Sequence, residues 1–143
     1  MIKYLNGDIL ESPAEVLVCP VNTVGVMTSG LALQFRYRFP ETYRKFQDAC
    51  FPSLLNMGNL MITKETDKRV MLFPVRSHWL SKPEKQFIEA GLQKFVDTYK
   101  KRKITSIAFP KLGCESAELN WEEDVQPLME KYLGDLDIEI YIY

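Results

Sequence analysis

The sequence predicts one α/β domain: a three-layer α/β/α sandwich with a central mixed sheet of about six strands and helices on both faces. Two observations predict this fold. Short apolar runs typical of buried strands alternate along the chain with segments whose apolar residues recur at helical spacing. The chain has 143 residues, 46% of them apolar, which suits one domain with a core of its own. The predicted order is β-β-α-β-β-α-β-α-β over residues 1–143, with no repeat or linker.

The first half of the chain is predicted to supply four of the strands and one helical region. The strands are Ile2–Asn6, Ala14–Val21, Gly58–Thr63 and Val70–Val75. Residues 14–21 form a continuous apolar run, which indicates a strand covered on both faces. The helical region begins at Ser29 and Gly30, is interrupted by Pro40 and ends near Cys50.

The second half is predicted to begin with a helix at Ser81, whose hydroxyl is expected to cap the helix. The Glu84 side chain is expected to reach back to the cap, and Pro83 suits the first turn because it needs no amide donor. The apolar face of this helix runs from Phe87 to Tyr99 at helical spacing. The remaining predicted elements are the strand Ile104–Pro110, a helix Trp121–Leu133 capped by Asn120, and the strand Ile138–Tyr143.

The composition argues against several classes of function. The formal net charge of −1 supplies no overall field for nucleic acid or membranes. His78 is the only histidine and no Cys or His pair has metal-ligand spacing, so we expect neither metal nor cofactor. The common motifs of nucleoside triphosphatases, dehydrogenases and serine hydrolases are missing. An odd number of cysteines, no secretory signal and only short apolar runs lead us to expect a cytoplasmic protein without membrane contact.

The expected ligand site lies at the carboxyl ends of the strands, as in other open α/β sheets. The loops after Val21, Pro74 and Pro110 are therefore the places to look. Gly25 and Gly30 flank the first of these loops, which enters a helix. Backbone amides and the positive end of a helix can hold a phosphate without a lysine.

Motifs in these loops resemble the macrodomain family, and within it the DarG-type antitoxin macrodomains most closely. The most specific motif is Asn-Thr-Val-Gly-Val-Met at residues 22–27. The segments that agree, in chain order, are Gly7–Ile9, Pro20–Met27, Gly30–Phe35, Phe73–Pro74, His78–Trp79 and Pro110–Cys114, with Leu119 and Trp121. The resemblance implies a macrodomain-like fold whose ligand is ADP-ribose or an ADP-ribosylated macromolecule, and an ADP-ribosyltransferase as counterpart.

The resemblance also assigns ligand contacts. Asp8 would accept a hydrogen bond from the adenine amino group, and a buried carboxylate there would discriminate adenine from other bases. Asn22 would contact the distal ribose. Spacing alone favours a turn or cap role for Asp8 and a turn role for Asn22, and Cys114 could equally be a packing residue. The predicted ligand-binding residues are Asp8, Ile9, Asn22, Thr23, Gly25, Val26, Met27, Thr28, Ser29, Gly30, Leu112, Gly113, Cys114, Glu115 and Ser116.

Besides Thr28 and Ser29, where Gly or Lys is common in the family, the sequence departs from the family pattern at three positions. Related hydrolytic macrodomains carry a lysine where this chain has Arg76, and a guanidinium stays protonated and cannot act as an amine nucleophile. Another branch places an aspartate where this chain has Ala117. Glu115 replaces a glycine and brings a carboxylate near the expected pyrophosphate. Either its side chain turns to solvent or the ligand differs there.

Arg76 and His78 are the candidate catalytic residues, although a lone histidine is more often structural. Three functions stay open. The first is a hydrolase that removes ADP-ribose from modified DNA or protein with a substrate-held water. The second is a non-catalytic ADP-ribose reader or sequestering protein, which the loss of both family catalytic groups favours. The third is a phosphatase acting on ADP-ribose phosphate.

Overall fold

The computed structural model describes residues Met1–Tyr143 and contains one six-stranded sheet covered by helices. The strands are β1 (Ile2–Tyr4), β2 (Val16–Val21), β3 (Met61–Glu65), β4 (Lys68–Pro74), β5 (Ser106–Phe109) and β6 (Glu139–Ile142). The helices are α1 (Gly30–Arg38), α2 (Pro40–Cys50), α3 (Lys85–Thr98) and α4 (Gln126–Leu133). Two short 3₁₀ turns, Ile9–Glu11 and Glu115–Ala117, and a π turn at Trp121–Val125 complete the chain. None of the helices has both the length and the apolarity needed to cross a bilayer.

The strand order is β1-β6-β5-β2-β4-β3, and only the β3–β4 hairpin is antiparallel. The sheet is therefore mixed, as predicted. Strand β2 lies between β4 and β5 and is parallel to both. The carboxyl ends of these three strands consequently meet at one edge of the sheet.

Strand β2 explains why the fold has three layers. Val16 and Val18 belong to the apolar core beneath α3 and α4. Leu17, Cys19 and Val21 belong to the separate core beneath α1 and α2. Side chains alternate between the two faces of a strand, so a run that is apolar at every residue requires cover on both faces. The predicted three-layer sandwich is confirmed.

Two local sequence signals are also confirmed. Helix α1 ends at Arg38 and α2 begins at Pro40, because proline cannot continue a helix but suits its first turn. The Asn120 Oδ1 atom accepts a hydrogen bond from the Glu123 amide at 2.8 Å and so caps the following helical segment.

The predicted cap at Ser81 is wrong. Helix α3 begins at Lys85, after Glu84, whose side chain makes no capping hydrogen bond. The Ser81 hydroxyl instead accepts from the His78 amide at 2.9 Å and donates to the His78 carbonyl at 2.7 Å. A local turn therefore uses the group that the sequence pattern assigned to the helix.

The predicted strand at residues 58–63 is also displaced, since β3 begins at Met61.

Candidate functional site

The loops after β2, β4 and β5 surround a cleft with a cavity volume of about 170 Å³. These are the loops in which the sequence placed the ligand site. The predicted site residues that line the cleft are Asn22, Val26, Thr28, Ser29, Arg76, Gly113, Glu115 and Ser116. Among the residues that the prediction did not include, Trp79, Lys111 and Glu118 also line it.

Several predicted ligand residues lie outside the cleft lining. Thr23 and Gly25 border a neighbouring depression beside α2. Met27 is 1% exposed and Leu112 is fully buried, so both side chains contribute to the core. These residues shape the loops on either side of the cleft, and at Met27 and Leu112 a ligand could reach only the backbone.

Asp8 is exposed rather than buried, contrary to the expectation for an adenine-selective carboxylate. Its Oδ1 atom accepts a hydrogen bond from the Leu10 amide at 2.9 Å and caps the 3₁₀ turn Ile9–Glu11. Ile9 beside it is 4% exposed and packs in the core beneath α1 and α2. The cap role of Asp8 is thus present, and its contact with adenine stays a prediction.

Asn22 organises the loop after β2. Its side-chain oxygen accepts hydrogen bonds from the amides of Val24 at 3.1 Å and Val26 at 3.2 Å. Its amide nitrogen donates to the Val26 carbonyl at 2.9 Å. The side chain is almost fully buried, at 6% exposure, so its polar atoms are committed to the loop backbone. Asn22 therefore gives the cleft wall its shape, and its contact with a distal ribose stays a prediction.

We expect Asn22→Ala to lower the free energy of unfolding by about 1 to 3 kcal/mol, because partly buried backbone groups of the loop lose their partners. ADP-ribose affinity should fall with it, since the cleft wall loses its shape. Urea denaturation and calorimetry measure the two effects. Asn56→Ala is the matched control, because Asn56 is exposed and its side chain makes one hydrogen bond, to the Ser53 carbonyl. Equal stability of the two variants would contradict the structural role of Asn22.

The amino terminus of α1 opens into the cleft. Ser29 precedes the helix and makes no side-chain capping bond. The Leu31 amide donates instead to Oε1 of Glu115, at 2.9 Å. Gly30 has φ +58°, and a Cβ atom there would lie 2.6 Å from that oxygen, so glycine leaves room for the carboxylate. Glu115 is exposed, yet its carboxylate points to the start of α1 and lines the cleft, so it does not turn away from the expected pyrophosphate position.

Arg76 forms a two-pronged ion pair with Glu118. Its Nη1 atom lies 3.0 Å from Oε2 of Glu118, and Nη2 lies 2.6 Å from Oε1. Nη1 also donates to the Ser81 carbonyl at 3.2 Å. The Arg76 and Glu118 side chains are only 18% and 25% exposed, so the pair is held in the cleft rather than at the outer surface. The guanidinium is engaged by the protein before any ligand arrives.

His78 lies outside the cleft lining and is exposed. Its ring stacks on that of Trp79, with centroids 5.5 Å apart, and Trp79 itself lines the cleft. The His78 Nδ1 atom accepts a hydrogen bond from the Leu80 amide at 3.1 Å, which fixes the imidazole. In this arrangement His78 orients the indole that borders the cleft.

Cys114 has the features of a packing residue. Its thiol donates to the Leu112 carbonyl at 3.4 Å, and its side chain packs against the core beneath α3 and α4. Burial raises the pKa of the Cys114 thiol to about 11. The thiol is therefore protonated near neutral pH and is a poor nucleophile. No cluster of three His, Cys, Asp or Glu side chains suited to a metal ion is present.

Together the fold and the cleft define an α/β domain with an anion-accepting helix terminus at the carboxyl ends of its strands. The family model of the Macro domain matches residues 18–128. The chain belongs to the macrodomain family.

Similar proteins agree over the whole chain. A DNA ADP-ribosyl glycohydrolase of Mycobacterium tuberculosis is 36% identical over 99% of this chain and 42% of its own length. The solved macrodomain of Thermus aquaticus DarG has a TM-score of 0.95 and 32% identity, covering 100% of this chain and 97% of that one. Thermosipho africanus DarTG in complex with ADP-ribose has a TM-score of 0.93 and 39% identity, covering 99% of this chain and 41% of that one.

This chain spans only 41 to 42% of the length of four of the curated relatives that it matches. The relatives therefore have a further part with no counterpart in the 143 residues of this chain.

Proposed function

We propose that this chain binds the ADP-ribosyl group of ADP-ribosylated DNA in the cleft at the carboxyl ends of β2, β4 and β5. The observation that carries the proposal is the amino terminus of α1, where the Leu31 amide already holds a carboxylate oxygen at 2.9 Å. A helix terminus that accepts a carboxylate suits the pyrophosphate of ADP-ribose equally well, because both supply negatively charged oxygens.

The names of relatives support DNA as the macromolecule that carries the ADP-ribosyl group. Four curated relatives at 32 to 37% identity carry DNA ADP-ribosyl glycohydrolase in their names. One of them is a fusion with a DNA ADP-ribosyl transferase, which supports a transferase of that kind as the counterpart of this chain. Trp79 is 49% exposed at the edge of the cleft and offers an aromatic surface to a base beyond the bound ribose.

Hydrolysis of the ADP-ribosyl linkage is the second candidate function. The names of the relatives favour it, and Glu118 supplies a carboxylate within the cleft. Arg76 argues against the lysine-dependent route, since its guanidinium cannot deprotonate and is held by Glu118. Recognition of ADP-ribose is therefore proposed as the main function, with any hydrolysis slow and independent of an amine adduct.

Calorimetry with ADP-ribose and AMP tests the proposed binding. We expect ADP-ribose to bind at least about tenfold more tightly than AMP, because only ADP-ribose places a pyrophosphate and a second ribose in the cleft. Equal affinities would contradict the proposal.

The variant Asp8→Asn tests whether Asp8 contacts the adenine amino group of the ligand. Asparagine keeps an oxygen that can cap the turn at Ile9–Glu11 but lacks the charge that strengthens a bond from the adenine amino group. The variant should keep the wild-type melting temperature and bind both nucleotides more weakly. Unchanged binding would mean that Asp8 serves only as a cap.

A further inference from the structure

The segment after β5 inserts two carboxylates into the cleft. We call residues 114–119 the acidic loop. Glu115 reaches the amide of Leu31 at the start of α1, and Glu118 reaches the guanidinium of Arg76. Both contacts join parts of the chain that are remote in sequence, by 84 and 42 residues. The acidic loop therefore links the side of the cleft that follows β5 to the start of α1 and to the loop after β4.

The contact made by Glu115 uses the groups that a phosphate would use. The Leu31 amide belongs to the first turn of α1, where amides have no acceptor within the helix. The positive end of the helix attracts any negatively charged oxygen. Gly30 has no side chain to keep the carboxylate away. A phosphate oxygen and Glu115 Oε1 thus compete for the same donor.

The cleft in this state is too small for its proposed ligand. Its cavity volume of about 170 Å³ lies below the range of about 300 to 1,000 Å³ that is usual for small-molecule sites. Between the two carboxylates, Ser116 and Ala117 both have φ of 55°, a conformation that residues with a Cβ atom rarely adopt. Backbone hydrogen bonds within the acidic loop and its two carboxylate contacts hold it in this form, and we expect its displacement to enlarge the cleft.

We propose that Glu115 is a built-in competitor for the phosphate position and determines which ligands the cleft accepts. The inference rests on the proposed ADP-ribose site. A ligand that places a phosphate at α1 must displace Glu115, and ADP-ribose offsets that cost through its other contacts. A nucleoside without phosphate leaves Glu115 in place. Glu115 thereby lowers the affinity for phosphate-bearing ligands relative to nucleosides, and a phosphate-bearing ligand binds well only when its other contacts offset the displacement of Glu115.

The test compares wild type with Glu115→Gln and Glu115→Ala by calorimetry. We expect Glu115→Ala to bind ADP-ribose about five- to tenfold more tightly, because the competing charge at the helix terminus is gone. Glu115→Gln should gain less, since its amide oxygen can still accept from Leu31. Adenosine affinity, followed by NMR titration, should be the same in all three proteins.

An independent readout is the amide proton of Leu31 in the ligand-free protein. Its chemical shift should move upfield in Glu115→Ala, because the hydrogen bond to a carboxylate is lost. Glu122→Gln is the control, since it removes the same charge from an exposed residue outside the cleft and should change neither shift nor affinity.

The possible failures are distinguishable. Equal ADP-ribose affinity in wild type and Glu115→Ala, or an unmoved Leu31 signal, would overturn the competitor role and leave the ADP-ribose site standing. Weaker binding by Glu115→Ala would make Glu115 a ligand contact instead, which also overturns it. If neither wild type nor the variants bind ADP-ribose, the proposed function fails together with this inference.

Discussion

The double variant Arg76→Lys with Glu118→Gln is expected to release ADP-ribose from an ADP-ribosylated oligonucleotide at least about tenfold faster than wild type, because a half-buried lysine can act as an amine nucleophile and arginine cannot. The Arg76 side chain is 18% exposed, so an amine in its place would be partly desolvated, which favours the neutral form. Turnover is measured as ADP-ribose released under single-turnover conditions.

Arg76→Lys alone should stay close to wild type. The Glu118 carboxylate lies within 3.0 Å of the guanidinium, and a negative charge at that distance would keep a lysine there protonated. Both substitutions are therefore needed. The lysine supplies the nucleophile, and the glutamine removes the negative charge that would keep the lysine protonated. Arg76→Ala should weaken ADP-ribose binding, since the cleft loses a charged donor.

Arg38→Lys is the matched control for this series. Arg38 also pairs with a glutamate, since its Nη2 atom lies 2.9 Å from Oε1 of Glu11, but neither residue lines the cleft. Its turnover should equal that of wild type. Fast wild-type turnover that survives Arg76→Ala would show that another group carries the chemistry, with Glu118 the first to examine.

The layers of the fold could be predicted because their signals are local. The apolar run through β2 required cover on both faces, Pro40 separated α1 from α2, and Asn120 capped a helix. Ser81 shows the limit of such signals. Its spacing to Glu84 matches a capping box, yet the turn at His78, three residues away on the other side, takes the hydroxyl.

The chemistry of the cleft could be predicted only in part. The strand ends and the glycine-flanked loop indicated where an anion would bind. The family motifs indicated ADP-ribose as the ligand. The partners of Glu115 and Arg76 could not be predicted, because Leu31 in the first turn of α1 and Glu118 in the loop after β5 come near them only once β2, β4 and β5 are aligned.

Gly91→Val is expected to lower the free energy of unfolding by about 3 kcal/mol or more, through overpacking between α3 and the sheet. A Cβ atom on Gly91 would lie 2.3 Å from Cζ of Phe73, a fully buried ring on β4. The ring cannot move aside into solvent, so the helix must shift away from the sheet. Urea denaturation measures the loss.

Two further variants separate this clash from other effects of valine. Ala90→Val places the same β-branched residue at the exposed neighbouring position of α3 and should cost only the helix propensity of about 0.5 kcal/mol. Phe73→Leu replaces the ring with a smaller side chain. The double variant Gly91→Val with Phe73→Leu should therefore lose less stability than the summed losses of the two single variants. Additive losses would place the strain elsewhere in α3. Because β4 leads through Pro74 to Arg76, a shifted helix should also weaken ADP-ribose binding in Gly91→Val, and Phe73→Leu should partly restore it.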